Sequence, residues 1–494
     1  MIVNTPLGKM IASEAGSAGQ KVYRFLSIPY ARAGRFEPPV RIDDYPAGHL
    51  INSEKSYCFP QRAIPALANI FLKHHMMRAE FLTNQDIQTE DAFMLNVWTS
   101  DLDTIKPVLV YIHGGGDYGS GTSPIYDGAH LAAQNIVVVT INYRIGFFGY
   151  LPVYDGDKLR CNCAALDQQA ALQWVKRNIG FLGGDKENIC LMGQSGGSMS
   201  ALNQFLNPHS SQLFHRLILC GGPLPTAISQ AGARDIYKQT IAANGLKNLH
   251  DLKALPPQKL VRLKAKNSMN DIIDGKFFTK DPKEILAYGE FPKIPILVGA
   301  NGDEFSMIEM PMFYKAMGIA VKEKNLKEAL SHKYGTYADL LVQAIAPEAA
   351  DIVDLQIKIL ELIVFHSTSL KLMTSFSRKC PVYGYRFCYV PNLYHGLRGA
   401  YHGAEIAMFF NNLDKMKIEI TEQNRKEVRT LQKDWLSFVK TGQIPNRPLF
   451  DERQEITLYD AGTRTIPFPH ASLLAKVSDT NLYEKAFGDY LKNR

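Results

Sequence analysis

The chain has 494 residues, 46% of them hydrophobic and 21% charged, which is ordinary globular usage and excludes disordered and fibrous classes. Its formal net charge of +7 is small for this length and is not gathered into a Lys/Arg block, so nucleic acid is not an expected partner. No window offers about 18 consecutive apolar residues, and Met1-Ile2-Val3-Asn4-Thr5-Pro6 lacks the basic and apolar regions of a signal peptide, so a soluble cytoplasmic protein with no membrane partner is expected. The cysteines at 58, 161, 163, 190, 220, 380 and 388 are odd in number and show no metal-like spacing, which fits reduced thiols; neither a metal nor a cofactor is expected.

The first ~300 residues repeat one theme, a β-branched run that ends in a Gly-rich or polar loop and gives way to a helical pattern, which predicts an α/β fold with a mostly parallel central sheet flanked by helices. Val108–Ile112 runs into His113-Gly114-Gly115-Gly116, and Val137–Ile141 into Asn142-Tyr143-Arg144. Asn188–Met192 leads into Gly193-Gln194-Ser195-Gly196-Gly197, Leu217–Cys220 into Gly221-Gly222-Pro223, and Pro295–Val298 into Gly299-Ala300-Asn301-Gly302-Asp303-Glu304. Residues from about 310 to 375 read as amphipathic helix, for example Ala349 to Leu362, and no Pro/Gly/Ser linker sets them apart. A single domain over 1–494 with a helical cap or side region at 310–375 is the expectation. In such sheets ligands bind beyond the carboxyl ends of the strands, where these loops lie.

Acyl transfer needs a nucleophile, a base, a group that orients the base, and donors for the oxyanion. Gly193–Gly197, between a strand and a helical segment, has the context of a nucleophile elbow, so Ser195 is the candidate nucleophile. Alone, the pentapeptide is a weak signal, and an ordinary strand-to-helix turn would be the better reading. The three glycines after His113 leave backbone N–H groups unobstructed, which makes Gly115 and Gly116, with the amide of Gly196, the candidate oxyanion hole; His113 reads as a structural prop. The Lys and Ser/Thr of a phosphate loop are missing. Glu304 is the candidate acid, with Asp303 as local alternative. His402, in Gly399-Ala400-Tyr401-His402-Gly403-Ala404-Glu405, is the candidate base, with His395 as runner-up. The order Ser, Glu, His is the chain order that accompanies a nucleophile elbow.

With these pieces the chain resembles the type-B carboxylesterases, the cholinesterase-like branch of the α/β-hydrolases, and in particular an intracellular, bacterial-type member. Further residues that carry the likeness are Phe25–Ala31, Arg35-Phe36, Thr89-Glu90-Asp91, Leu95–Trp98, Asn142-Tyr143-Arg144, Leu166–Gln169, Asn178-Ile179 and Gly183-Gly184-Asp185. The resemblance implies an α/β-hydrolase fold and hydrolysis of a small-molecule ester through an acyl-serine intermediate, with Ser195, Glu304 and His402 on the triad positions. It also implies ion pairs of Arg35 with Glu90 and of Arg144 with Asp167.

Four departures stand out. Ala92 occupies the position where the family carries a cysteine to pair with one near Cys58, which supports the cytoplasmic expectation. Asp117 follows the glycines where a bulky apolar residue is usual, and a carboxylate there is expected to point away or be paired. The serine of the family's SGS segment is replaced in Cys220-Gly221-Gly222, and Gly196 replaces an alanine.

Asp117, Phe305, Met307 and Met310, with Met312, Phe313, Met317 and the stretch from Ile64 to Phe81 including Met76 and Met77, are candidate lining for a tolerant acyl pocket, although core packing accounts for most of them. The expected substrates are short-chain or aromatic carboxylic esters. The alternatives are a catalytically inactive cholinesterase-like binding module and an amidase or acyltransferase using the same triad. The sequence says nothing of oligomeric state.

Overall fold

The computed structural model describes residues 1–16, 19–46, 49–62, 86–265, 271–306, 314, 318–390, 399–416, 421–477, 482, 485 and 486. Among them, eleven strands form one sheet. In chain order they are β1 (Ser13–Glu14), β2 (Tyr23–Pro29), β3 (Met94–Thr99), β4 (Lys106–Ile112), β5 (Val137–Ile141), β6 (Gly184–Gln194), β7 (Arg216–Cys220), β8 (Ile296–Asn301), β9 (Val382–Phe387), β10 (Glu455–Tyr459) and β11 (Arg464–Pro467). Their spatial order is 11-10-9-8-7-6-4-5-3-2-1. The block from β5 through β4, β6, β7, β8 and β9 to β10 is parallel throughout, whereas β3, β2 and β1 on one side and β11 on the other pair antiparallel. The sheet is therefore mixed, with the expected parallel centre.

The strands are continuous apolar runs because both faces of the sheet are covered. Val108, Val110 and Ile112 of β4 enter one core and Leu109 and Tyr111 the other. Ile189 and Leu191 against Cys190 and Met192 in β6, and Leu217 and Leu219 against Ile218 and Cys220 in β7, divide the same way. This is the period-two alternation of strand side chains, and each Val, Leu or Ile fully buried by it contributes about 1.5–3 kcal/mol. Helices α1 (Cys163–Asn178), α2 (Gly196–Leu206), α3 (Ile352–Glu361) and α4 (Ser367–Ser377) cover the first face, and α5 (Ala404–Phe410) and α6 (Glu422–Thr441) the second.

Between α3 and α4 the chain makes one turn of π-helix, Leu362–His366. The expected helix from Ala349 to Leu362 is thus found at Ile352–Glu361, and it continues through the π-turn into α4. No helix among the described residues is long and apolar enough to cross a membrane.

Candidate active site

The end of β6 turns into α2 at Ser195, whose backbone lies at φ 58° and ψ −128°. A non-glycine residue in such a region costs on the order of 1–3 kcal/mol, so the neighbours must hold it. They do: the Ser195 N–H donates to Cys220 O at 2.9 Å, and its carbonyl accepts from Ser198 N at 2.9 Å and Met199 N at 3.1 Å. The flanking glycines permit the turn by letting backbone meet backbone. A Cβ on Gly193 would lie 2.0 Å from Gly197 O, and one on Gly197 would lie 2.1 Å from Ile112 O.

The loop after β4 approaches the same turn. A Cβ on Gly114 would lie 2.7 Å from Gln194 O and 2.8 Å from Ser195 Cβ. Gly115 and Gly116 have φ of 101° and 64°. The nearest atoms to a Cβ built on Gly196 are Gly116 N at 3.7 Å and Gly115 N at 3.8 Å, so the backbone of all three expected oxyanion donors borders one small space. The Gly115 and Gly116 amides donate to no other group among the described residues. His113 is buried beneath them. Its Nδ1 lies 2.8 Å from Gly114 O, its ring stacks on Tyr143 at 4.6 Å, and burial pushes its pKa down to about 4. The ring is therefore neutral near pH 7 and serves as a prop for the loop.

Glu304 lies in the turn that follows β8 and is 1% exposed. Its Oε1 accepts the Asn301 N–H at 2.7 Å, and its Oε2 lies 2.5 Å from His402 Nδ1. His402 precedes α5, and its Nε2 lies 3.2 Å from the side-chain nitrogen of Gln194, the residue before Ser195. The structure thus brings together the elbow, the glycine loop, Glu304 and His402. Asp303 turns instead toward the backbone of Ala400, whose N–H it accepts at 3.0 Å. His395 lies outside the described residues.

Other groups at this site gave no sequence signal. Phe365, in the π-turn, packs its ring 5.2 Å from that of His402, and the adjacent His366 holds Nε2 2.9 Å from Asn301 O. Glu405 is buried and accepts from Asn301 Nδ2. Burial first, and then the charge of Glu304, raises its pKa to about 7, so near neutrality it is partly protonated and adds less negative charge beside the Glu304–His402 pair. All three depend on contacts between segments distant in sequence, which no local spacing encodes.

Of the expected pocket residues, Phe305 is 4% exposed and packs on Phe365 at 5.0 Å, placing it in the core behind His402. Asp117 Oδ1 lies 3.2 Å from where a Cβ on Gly146 would sit, turned toward the start of the short helix Gly146–Tyr150. Met307, Met310, Met312, Phe313, Met317 and the stretch 64–81 lie outside the described residues. A Cβ on Gly222 would come 2.3 Å from Ser198 Oγ, so Ser198 fills the space a serine at 222 would need.

The ion pairs form. Arg35 Nε reaches Glu90 at 2.6 Å, and Arg144 grips Asp167 through Nε at 2.7 Å and Nη2 at 2.6 Å, with Asp167 fully buried. Cys58 is buried and in no disulfide among the described residues, and Ala92 is buried.

The model of the carboxylesterase family matches residues 1–461 of the chain. Para-nitrobenzyl esterase of Bacillus subtilis (strain 168) is 31% identical over 489 residues, covering 92% of this chain and 94% of its own. Human cocaine esterase is 28% identical, covering 91% and 85%. Among solved structures, a thermophilic PNB esterase superposes with a TM-score of 0.78 at 26% identity over 98% of this chain and 99% of its own. These matches span nearly the whole α/β-hydrolase architecture described above, and the chain belongs to the carboxylesterase family, the carboxylic ester hydrolases of type B.

Proposed function

We propose that this protein hydrolyses short-chain or aromatic carboxylic esters through an acyl-Ser195 intermediate. The observation that carries the reading is the Glu304–His402 contact at 2.5 Å, beside a strained serine whose turn borders the amides of Gly115 and Gly116. Ser195 Oγ attacks the ester carbonyl while His402 Nε2 takes its proton. Glu304 accepts the Nδ1–H and stabilises the imidazolium. The tetrahedral oxyanion is held by the N–H groups of Gly115, Gly116 and Gly196, aimed at charge that exists only after attack. His402 then returns the proton to the leaving alkoxide, and water, deprotonated by the same nitrogen, releases the acid.

The names of the relatives, a para-nitrobenzyl esterase and a cocaine esterase, support the aromatic part of this class. The lack of a disulfide among the described cysteines and the alanine at 92 support a reducing, cytoplasmic location. We further propose that residues 1–494 form one domain, with 310–375 as a side layer within it.

The test is a p-nitrophenyl ester chain-length series with an amide analogue, beside a serine-reactive phosphonate read by intact mass. One adduct on the wild type, none on Ser195→Ala, and a kcat for Glu304→Gln lower by about 10⁴-fold are expected. Wild-type protein with neither adduct nor turnover would instead be a binding module. Amide cleavage as fast as ester cleavage would make it an amidase.

A further inference from the structure

The Glu304–His402 hydrogen bond alone leaves the base under-determined. It fixes Nδ1 and still lets the ring pivot, so Nε2, which must meet the serine hydroxyl, is aimed only if the backbone carrying His402 is fixed as well. The loop that carries it is gripped two residues before the histidine. Ala400 N–H donates to Asp303 Oδ2 at 3.0 Å, and Asp303 N–H donates back to Ala400 O at 3.1 Å, a reciprocal pair between residues 97 positions apart. Gly399 makes the approach possible: it sits at φ 70°, and a Cβ there would lie 1.9 Å from Asp303 Oδ2. On the other side of the carboxylate, Lys358 Nζ of α3 lies 3.5 Å from Oδ1 and 3.6 Å from Asp354, which holds the Asp303 side chain in the rotamer that faces the loop.

We propose that Asp303 is a positioning residue for the ester hydrolysis, the clamp that docks the Gly399–Ala400 backbone onto the acid turn so that His402 meets Glu304 and Ser195 together. This rests on the assignment of Ser195, Glu304 and His402 made above. Two adjacent acidic residues then divide the work: Glu304 holds the imidazole ring, and Asp303 holds the chain that carries it. Toward the Ala400 backbone the clamp acts through geometry rather than charge. What the Ala400 N–H needs is an oxygen acceptor at that point, and a misplacement of the base by about 1 Å is enough to cost about 100-fold in rate.

The experiment uses the full chain with a short p-nitrophenyl ester, the phosphonate labelling rate and thermal melts. Asp303→Ala is expected to lower kcat about 100-fold with KM changed less than about threefold, and phosphonylation of Ser195 slows in proportion. Asp303→Asn keeps an oxygen acceptor and is expected to stay within about tenfold of wild type, while Gly399→Ala, which pushes the clamp apart from the other side, behaves like Asp303→Ala. A kcat for Asp303→Ala within about threefold of wild type, a loss carried by KM instead, or an Asp303→Asn as impaired as the alanine would overturn the proposal. Should Asp303→Ala fail to fold, Asp303→Asn decides: activity within about tenfold supports the clamp, and a loss of about 100-fold overturns it. A wild-type protein that takes no phosphonate fails the Ser195 assignment; a labelled wild type with an unimpaired Asp303→Ala fails the clamp alone.

Discussion

Gly196 and Gly197 are neighbours in one turn, yet they answer to different constraints. A methyl group on Gly196 would meet its nearest atoms at 3.7 and 3.8 Å, ordinary van der Waals distances, and would enter the first turn of α2, where alanine is the better helix former. Gly196→Ala should keep kcat/KM for a short p-nitrophenyl ester within about threefold and leave the melting temperature equal or higher. A methyl on Gly197 would sit 2.1 Å from the Ile112 carbonyl, where backbone on both sides leaves nothing to give. Gly197→Ala should therefore cost about 1–3 kcal/mol or more in denaturant unfolding and abolish activity with it. A stable, active Gly197→Ala would mean that the elbow is looser than its contacts indicate.

This is the scale at which the sequence was most legible. A glycine required by a close approach leaves its mark in the local string, and so does a strand that runs into it. Gln194, Asp303 and Glu405 were opaque because their partners, His402, Ala400 and Glu304, lie in other segments, and a polar residue in a loop looks the same whether it is solvated or clamps a distant chain.

Among the elements, the π-turn Leu362–His366 does most to join the side helices to the site. The apolar periodicity of the segment announces a helix, and it cannot announce a register shift, because a π-turn satisfies the same apolar face with a different hydrogen bond. That shift sets Phe365 against His402 and His366 against Asn301, while Glu361, just before it, accepts the Phe305 N–H at 2.7 Å. Glu361 is fully buried, and burial pushes its carboxyl well above the usual range, with the negative charge of Asp303 adding to it. Burial therefore favours the neutral acid, whose oxygen accepts from backbone. Glutamine reproduces that state, so Glu361→Gln should change unfolding free energy by less than about 1 kcal/mol, whereas Glu361→Ala strands the Phe305 N–H and opens space, costing about 1–3 kcal/mol from the lost acceptor alone. Equal destabilisation by the two variants in urea would show that the carboxylate charge, rather than the acceptor, holds the acid turn.

At the scale of the whole molecule, the parallel centre of the sheet was readable because buried β-branched runs end in glycine loops. The outermost antiparallel strands were not, since β1 and β11 are short and half exposed and carry no apolar run. The same burial that makes the core legible also stores a pH dependence. Asp271, 3% exposed, accepts from Asn203 Nδ2 at 2.6 Å, and burial raises its pKa from 3.8 to about 7. The folded state thus keeps this proton between about pH 4 and pH 7 while the unfolded chain has released it, so this group's contribution to stability falls as pH rises through that window and then levels off. His113 works in the opposite sense. Its pKa is lowered to about 4 by burial, so the unfolded chain binds the extra proton between about pH 4 and 6.5, and stability rises with pH there. The opposed slopes make the wild-type curve alone ambiguous. Asp271→Asn removes only the first, keeping the size and the acceptor that Asn203 uses. Its melting temperature relative to wild type should be near zero or slightly negative at pH 4.5 and should climb steadily to pH 7.5. A difference that stays constant across that range would mean that Asp271 is ionised in the folded protein throughout and that an additional donor stabilises its charge.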